Sequence, residues 1–186
     1  QGKTTVATHL AVRLAQWVAA EGKRVLLVDT DPQGHAAAAL GVDAGGRCVG
    51  DLLLGKRTFK ETVLSANRSD VPRPNLYVVP ADSRLSQSRS RLERDIVLDM
   101  MQEGRRYKGP QMDEVLERAL GPYLSLFEYV ILDCPPSMAN LEAATFKITR
   151  WAVVPAKMAY LDSHGARLNL DDVTAAQDSG YGEIGR

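Results

Sequence analysis

Residues 24–34 read Arg-Val-Leu-Leu-Val-Asp-Thr-Asp-Pro-Gln-Gly, and this stretch decides which fold the sequence predicts. The run from Val25 to Val28 is continuously apolar, as in a parallel strand that is covered on both faces. Asp29 and Asp31 follow directly. Because ligands bind at the carboxyl ends of the strands in an open parallel sheet, these two carboxylates are candidates for holding Mg²⁺ and an attacking water. The alternative is a plain turn, since Asp-Pro-Gln-Gly is favourable turn chemistry.

Helices and further strands are predicted to alternate along the rest of the chain. Helical patterns cover residues 4–20, 36–40, 50–55, 59–64, 83–101, 112–120, 139–148 and 162–177, and strand patterns cover residues 75–80, 128–133 and 151–155. This alternation predicts an α/β fold, in which a doubly wound, mostly parallel sheet carries helices on both faces. A length of 186 residues suits a single domain, residues 1–186.

The first residues carry a candidate phosphate-binding loop. Gly2-Lys3-Thr4-Thr5 stands at the start of the first predicted helix and matches the tail of a G-x-x-x-x-G-K-[ST] loop. Free amide groups and the helix dipole favour phosphate oxygens at such a position. Lys3 would contact the phosphates, and the Thr4 hydroxyl would bind Mg²⁺. The tetrapeptide alone fits a threonine-capped polar helix start equally well.

A second apolar strand also ends in a carboxylate. Residues 130–137 read Val-Ile-Leu-Asp-Cys-Pro-Pro-Ser, so Asp133 stands where a Walker B aspartate holds Mg²⁺ directly or through water. The half-loop and the two strand ends have the right residue types in the right order. Together they favour nucleotide binding over a coincidental α/β domain.

These segments resemble the ParA/MinD family of P-loop ATPases, and the resemblance is collinear over nearly the whole chain. Gly2-Lys3-Thr4-Thr5 looks like the end of the family's deviant Walker A loop, residues 25–34 are similar to its switch I segment, and residues 129–137 resemble its Walker B and switch II segments. The Asp-Pro-Gln-Gly sequence is typical of the ParA/Soj branch. The resemblance implies a P-loop NTPase-like fold, with ATP and Mg²⁺ as cofactors.

The resemblance also implies roles for particular residues. Asp31 would position or activate the hydrolytic water, and Lys3 would act with it in catalysis. The nucleotide would be bound by Gln1, Gly2, Lys3, Thr4 and Thr5, and the metal by Thr4, Asp29 and Asp133. His35 stands where asparagine is common in the family, and we expect it to be a surface turn residue.

The family resemblance further implies an ATP-dependent homodimer, a ParB-like adaptor protein and non-specific DNA binding by a cytoplasmic, nucleoid-associated protein that positions or segregates cargo such as plasmid or chromosome DNA. It places the signature lysine and the first strand before Gln1, so we expect residues 1–186 alone to fold poorly or to turn over little ATP. The alternatives are a MinD-like or other regulatory ATPase not dedicated to DNA, an iron–sulfur reductase and a degenerate nucleotide-binding module.

Composition narrows the alternatives. The 23 basic and 23 acidic residues cancel, so overall charge does not indicate nucleic acid or anionic membrane as a partner. Cys48 and Cys134 lie far apart, which argues against a disulfide scaffold and a zinc site. No apolar stretch approaches the roughly 18 residues that span a bilayer. The arginines at 84, 89, 91 and 94 are expected to form a solvated helix face rather than a DNA contact.

Overall fold

The computed structural model describes residues 2–103, 111–135, 141–155 and 174. These residues form seven α-helices and four strands. The helices are α1 (Lys3–Val18), α2 (His35–Ala39), α3 (Val49–Leu53), α4 (Phe59–Thr62), α5 (Arg84–Glu103), α6 (Val115–Leu124) and α7 (Glu142–Ile148), with 3₁₀ turns at Ala19–Glu21 and Met112–Glu114. The strands are β1 (Val25–Asp29), β2 (Leu64–Ser65), β3 (Leu76–Val79) and β4 (Tyr129–Asp133).

The four strands form one mixed sheet in the order β2-β3-β1-β4. Strand β1 pairs in parallel with β3 on one side and with β4 on the other, and β2 is antiparallel to β3. The parallel register places Asp29 opposite Asp133. The predicted mostly parallel α/β sheet is therefore confirmed. The two strand-end aspartates are neighbours at the carboxyl ends of β1 and β4.

Helices cover both faces of the sheet because successive side chains of a strand point to opposite faces. Leu26 and Val28 pack in one apolar cluster with residues of α3, α5, α6 and α7. Val25 and Leu27 pack in a second cluster with residues of α1 and α2. All four of these β1 side chains are 0% exposed. The continuous apolar run is thus explained by burial on both faces, as the sequence predicted.

Small side chains let α1 lie close to the sheet. Ala7, Ala11 and Ala15 recur at a spacing of four, so they share one face of the helix, and all three are buried in the second cluster. Trp17, near the end of α1, is 70% exposed and stacks on Tyr129 with ring centroids 6.3 Å apart. The helix that starts at the candidate phosphate loop is therefore fixed against the sheet along its length.

The structure corrects two predicted elements. The helix predicted over 59–64 ends at Thr62, because Val63 is extended (φ −69°, ψ 141°) and leads into β2. The strand predicted over 151–155 is wrong: Trp151 makes only an isolated bridge. Trp151 and Val153 are 63% and 65% exposed, since no covered face of the described sheet takes up this apolar pattern.

Four predictions lie partly or wholly outside the described residues: the nucleotide contact of Gln1, the end of the switch II segment over 129–137, the start of the helix over 139–148 and the helix over 162–177. Among the described helices, none combines the length and the hydropathy needed to cross a membrane.

Candidate functional site

The start of α1 presents backbone amides to the end of the sheet. Gly2 precedes the helix with a φ of 88°, a left-handed conformation that glycine adopts without strain. No side chain among the described residues caps this helix end. The first turn therefore offers its unpaired N–H groups to an anion such as phosphate. Lys3 and Thr4 are half-buried there, and Thr5 is exposed.

Asp29 is fully buried and organises the loop that follows β1. Its two carboxylate oxygens accept hydrogen bonds from the backbone N–H of Asp31 at 2.9 Å and of Ala36 at 3.0 Å. Burial raises the pKa of Asp29 to about 6, although these two hydrogen bonds lower it. The charges of Asp133 and Asp31 contribute further to the rise. Asp29 thus holds the turn that presents Asp31.

Asp133 is 2% exposed, and neither of its carboxylate oxygens has a hydrogen-bond partner of good geometry among the described residues. Burial raises its pKa above the ordinary value. The nearby Thr4 hydroxyl opposes this rise, and the charge of Lys3 opposes it more weakly. A buried carboxylate without partners is costly, and a bound cation is one way to satisfy it.

The two buried aspartates lie in register on neighbouring parallel strands, and such strands are about 4.8 Å apart in a sheet. Thr30 ties the two strand ends together, because its N–H and its hydroxyl both donate to the carbonyl of Asp133 at 2.9 Å. Carboxylate and hydroxyl oxygens are the ligand types that Mg²⁺ prefers. The residues therefore fit a Mg²⁺ ion, with Asp133 and Thr4 as the side chains best able to hold it. Asp29 already uses both of its oxygens to hold the loop.

Asp31 stands at the mouth of this site and is only partly buried. Its Oδ1 accepts a hydrogen bond from the N–H of Gln33 at 2.9 Å, and its carbonyl accepts one from Gly34 at 2.9 Å. These bonds form a tight turn that fixes the aspartate. Its charge raises the pKa of both Asp29 and Asp133, so all three carboxylates lie in one electrostatic environment.

Eight residues were predicted for the site. The structure brings five of them close together at the carboxyl end of the sheet: Lys3, Thr4, Asp29, Asp31 and Asp133. Gly2 and Thr5 flank Lys3 and Thr4 at the start of α1, and Gln1 lies outside the described residues. His35 is exposed at the first residue of α2, as expected for a surface position, and its charge also lowers the pKa of Asp133. Cys48 and Cys134 are both free, and no metal-binding cluster of three or more His, Cys, Asp or Glu residues exists within the described part of the chain.

Sequence reasoning missed the contribution of the loop after β3. Arg84 is exposed, as expected for a solvated face, but it also donates to Asp82, Asp51 and the carbonyl of Gly46. The neighbouring Ala81 touches the Asp31 turn at Gly34. No local sequence pattern predicts these contacts, because they join segments that are 33 to 47 positions apart in the chain. The one signal in the sequence is Gly34, since a glycine in a turn is consistent with a close approach of another backbone segment.

Comparisons with known proteins agree with this geometry. Residues 1–181 match a family model described as an AAA domain. The sporulation initiation inhibitor protein Soj of Bacillus subtilis is 31% identical over 178 residues, which cover 95% of this chain and 61% of Soj. The chromosome partitioning protein ParA of Caulobacter vibrioides is 32% identical over 168 residues, which cover 88% of this chain and 54% of ParA.

Among solved structures, cobyrinic acid a,c-diamide synthase from Mycobacterium smegmatis, with a bound ATP analog and magnesium, superposes with a TM-score of 0.69 at 27% identity. The match covers 95% of this chain and 64% of the synthase. The chain thus spans between about half and two thirds of the length of these proteins. The matched family model and the collinear motifs show that the chain belongs to the ParA/Soj-type P-loop ATPases.

Proposed function

We propose that this protein binds and hydrolyses ATP with Mg²⁺, and that ATP-dependent dimerisation positions or segregates a cargo, namely plasmid or chromosome DNA. The observation that carries the proposal is Asp133, a buried carboxylate whose two oxygens lack hydrogen-bond partners of good geometry in the described structure. It lies beside the Thr4 hydroxyl, at the uncapped start of a helix that offers amide groups for phosphate.

Each residue of the site has a role that its surroundings support. Lys3 and the amides of the first turn of α1 hold the phosphates, as an ammonium and a helix N-terminus do in P-loop proteins. Thr4 and Asp133 hold Mg²⁺, which when bound neutralises phosphate charge. Asp29 holds the turn that carries Asp31, because its carboxylate accepts hydrogen bonds from the N–H groups of Asp31 and Ala36. Asp31, held in that turn, accepts a hydrogen bond from the attacking water and orients it.

The proposed cargo is taken from a relative, and the proposed partners are taken from the family resemblance. ParA of Caulobacter is a chromosome partitioning protein, and we extend that cargo class to this chain. The proposal also includes an ATP-bound homodimer, a ParB-like adaptor and non-specific DNA binding, by a cytoplasmic protein associated with the nucleoid.

The edge of the described sheet at β4 is a candidate site for strand pairing. Strand β4 is at one edge of the described sheet, and its apolar residues Val130, Ile131 and Leu132 are only partly buried. Val6 and Leu10 on α1 are also exposed, at 38% and 37%. An unpaired strand edge with apolar neighbours is a pairing site. We propose that a further strand pairs with this edge.

The experiment compares ATP turnover in two aspartate variants of the intact protein, measured with and without DNA and the adaptor. Asp31→Asn should abolish turnover and leave ATP binding in place. Asp43→Asn is the matched control, because Asp43 Oδ1 accepts a backbone hydrogen bond from Gly45 at 2.9 Å in the same way, but stands in another loop. Wild-type turnover in Asp31→Asn would refute the catalytic role. Wild-type protein that does not bind ATP would refute the proposed function as a whole.

A further inference from the structure

The turn from Asp31 to Gly34, which we call the switch turn, contacts the loop after β3 directly. Gly34 has a φ of 66°, and a Cβ built on it would lie 2.3 Å from the carbonyl oxygen of Ala81 and 3.2 Å from the Cα of Asp82. No side chain fits in that space. Because Gly34 donates its N–H to the carbonyl of Asp31 at 2.9 Å, the contact with Ala81 lies at the closing residue of the turn that holds Asp31.

Arg84 fixes the loop on which the turn rests. Its Nε and Nη2 donate to the two carboxylate oxygens of Asp82 at 3.1 and 2.7 Å. Its Nη1 donates to Asp51 Oδ2 at 3.3 Å, and Nη2 also donates to the carbonyl of Gly46 at 2.9 Å. The Arg84 guanidinium holds the pKa of Asp82 below its ordinary value. One guanidinium therefore joins three separate stretches of chain, and we call this set the Arg84 clamp.

The loop after β3 is also held by its contacts with α3 and by the packing of α3 on α5. The N–H of Val49 donates to the carbonyl of Pro80 at 2.7 Å, which ties α3 to the end of β3. Helices α3 and α5 meet at Gly50, where a Cβ would lie 2.6 Å from Ser88 Oγ. Such close packing leaves little room for the loop to shift while the clamp is closed.

We propose that Arg84 is a positioning residue for ATP hydrolysis, acting through Asp82, Ala81 and Gly34 on the turn that holds Asp31. The inference rests on the proposed function. Opening the clamp frees the Ala81 carbonyl to move, and the turn then loses the surface that sets its position. The phosphate and metal contacts of Lys3, Thr4 and Asp133 belong to other elements, so the bound nucleotide keeps them. Hydrolysis falls while ATP binding stays.

The test measures ATP turnover and ATP affinity in variants of the intact protein. Arg84→Ala should lower kcat at least about tenfold, because a displacement of about 1 Å in a catalytic group costs up to about a hundredfold in rate. The dissociation constant for ATP should stay within about twofold of wild type. Arg84→Lys, which keeps the charge, should recover part of the rate. Arg94→Ala is the matched control, since Arg94 is exposed on the same helix.

A double-variant cycle separates this role from general destabilisation. Gly34→Ala should lower kcat by itself, and adding Arg84→Ala should cause little further loss, because both changes act through the same contact. Asp82→Asn opens the clamp from its other side, and its loss of kcat should match that of Arg84→Ala. Wild-type kcat in Arg84→Ala and Asp82→Asn, or strictly additive losses in the cycle, would overturn the inference while leaving the proposed function intact. Absence of ATP turnover in wild type would refute both the inference and the proposed function.

Discussion

Asp133→Asn tests whether the site destabilises the protein until a cation binds. Asp29 has a pKa of about 6 in the folded protein against an ordinary value of 3.8. At about 1.4 kcal/mol for each pKa unit, its ionised form costs about 3 kcal/mol, most of it from burial and part of it from the Asp133 charge. The Asp133 charge adds to this cost by repulsion, but it contributes less to the raised pKa of Asp29 than burial does.

The substitution removes this repulsion and the buried, unpartnered charge, but it leaves a buried amide that costs about 1–3 kcal/mol if unsatisfied. We therefore expect Asp133→Asn to raise the free energy of unfolding of the ligand-free protein by about 1–2 kcal/mol at pH 7.5. For a chain of this size, the rise corresponds to an increase in Tm of roughly 2–8 °C. Mg²⁺ and ATP together should stabilise wild type by about 2.7 kcal/mol at a hundredfold excess over Kd, and the variant should lose the part of this gain that depends on Mg²⁺.

The assay is thermal denaturation of both proteins with and without Mg²⁺ and ATP. The two stability orders should cross: the variant is more stable without ligand, and wild type gains more from ligand. Asp99→Asn, at an exposed position of α5, controls for loss of an acidic charge and should change stability by less than about 0.5 kcal/mol. A variant that is less stable than wild type without ligand, yet gains as much from Mg²⁺ and ATP, would refute the reasoning.

Three other predictions follow from the same structure. Lys3→Ala should abolish ATP-dependent dimerisation and weaken nucleotide binding, as measured by light scattering and calorimetry; unchanged affinity would count heavily against the phosphate site. The folded state binds the Asp29 proton more tightly than the unfolded state, so raising the pH from about 4 to 6 should lower the stability of wild type relative to Asp29→Asn by up to about 3 kcal/mol. Urea unfolding of the two ligand-free proteins measures this difference in stability. A difference that does not change with pH would contradict the raised pKa. Leu116→Ala, at a fully buried position, should cost about 2–5 kcal/mol, whereas Leu126→Ala, at a position that is 52% exposed, should cost less than about 0.5 kcal/mol; equal losses in denaturant unfolding would disprove this assignment of the core.

The sequence predicted the centre of the fold well because burial there leaves a strong local record. The four apolar residues of β1 are continuous since both faces are covered, and Asp29 and Asp133 follow their strands directly. Parallel pairing then brings these two residues together, which is a general property of such sheets. The strand ends thus predicted that these two aspartates lie at the same end of the sheet.

The sheet edges were harder to predict because pairing there depends on distant residues. Leu64–Ser65 is only two residues long and becomes a strand through its antiparallel pairing with β3. Residues 151–155 have a strand-like apolar pattern, but Trp151 and Val153 remain exposed in the described structure. Composition and periodicity do not record whether a neighbouring strand is present.

The supporting contacts of the site left no sequence signal either. Arg84 lies among several arginines on one helix, and its role depends on Asp51, which is 33 positions away in the chain. The unpartnered state of Asp133 is likewise a property of packing, since the residue type alone does not show which oxygens find donors.

The most direct test of the site is the Mg²⁺ dependence of ATP affinity in the intact protein, measured by calorimetry in wild type and in Asp133→Asn. If Thr4 and Asp133 hold the metal beside the phosphates, Mg²⁺ should tighten ATP binding in wild type at least about tenfold, a coupling of about 1.4 kcal/mol, and should have little effect in the variant. An equal effect of Mg²⁺ on both proteins, or wild-type affinity that is the same with Mg²⁺ and with a chelator, would contradict the account.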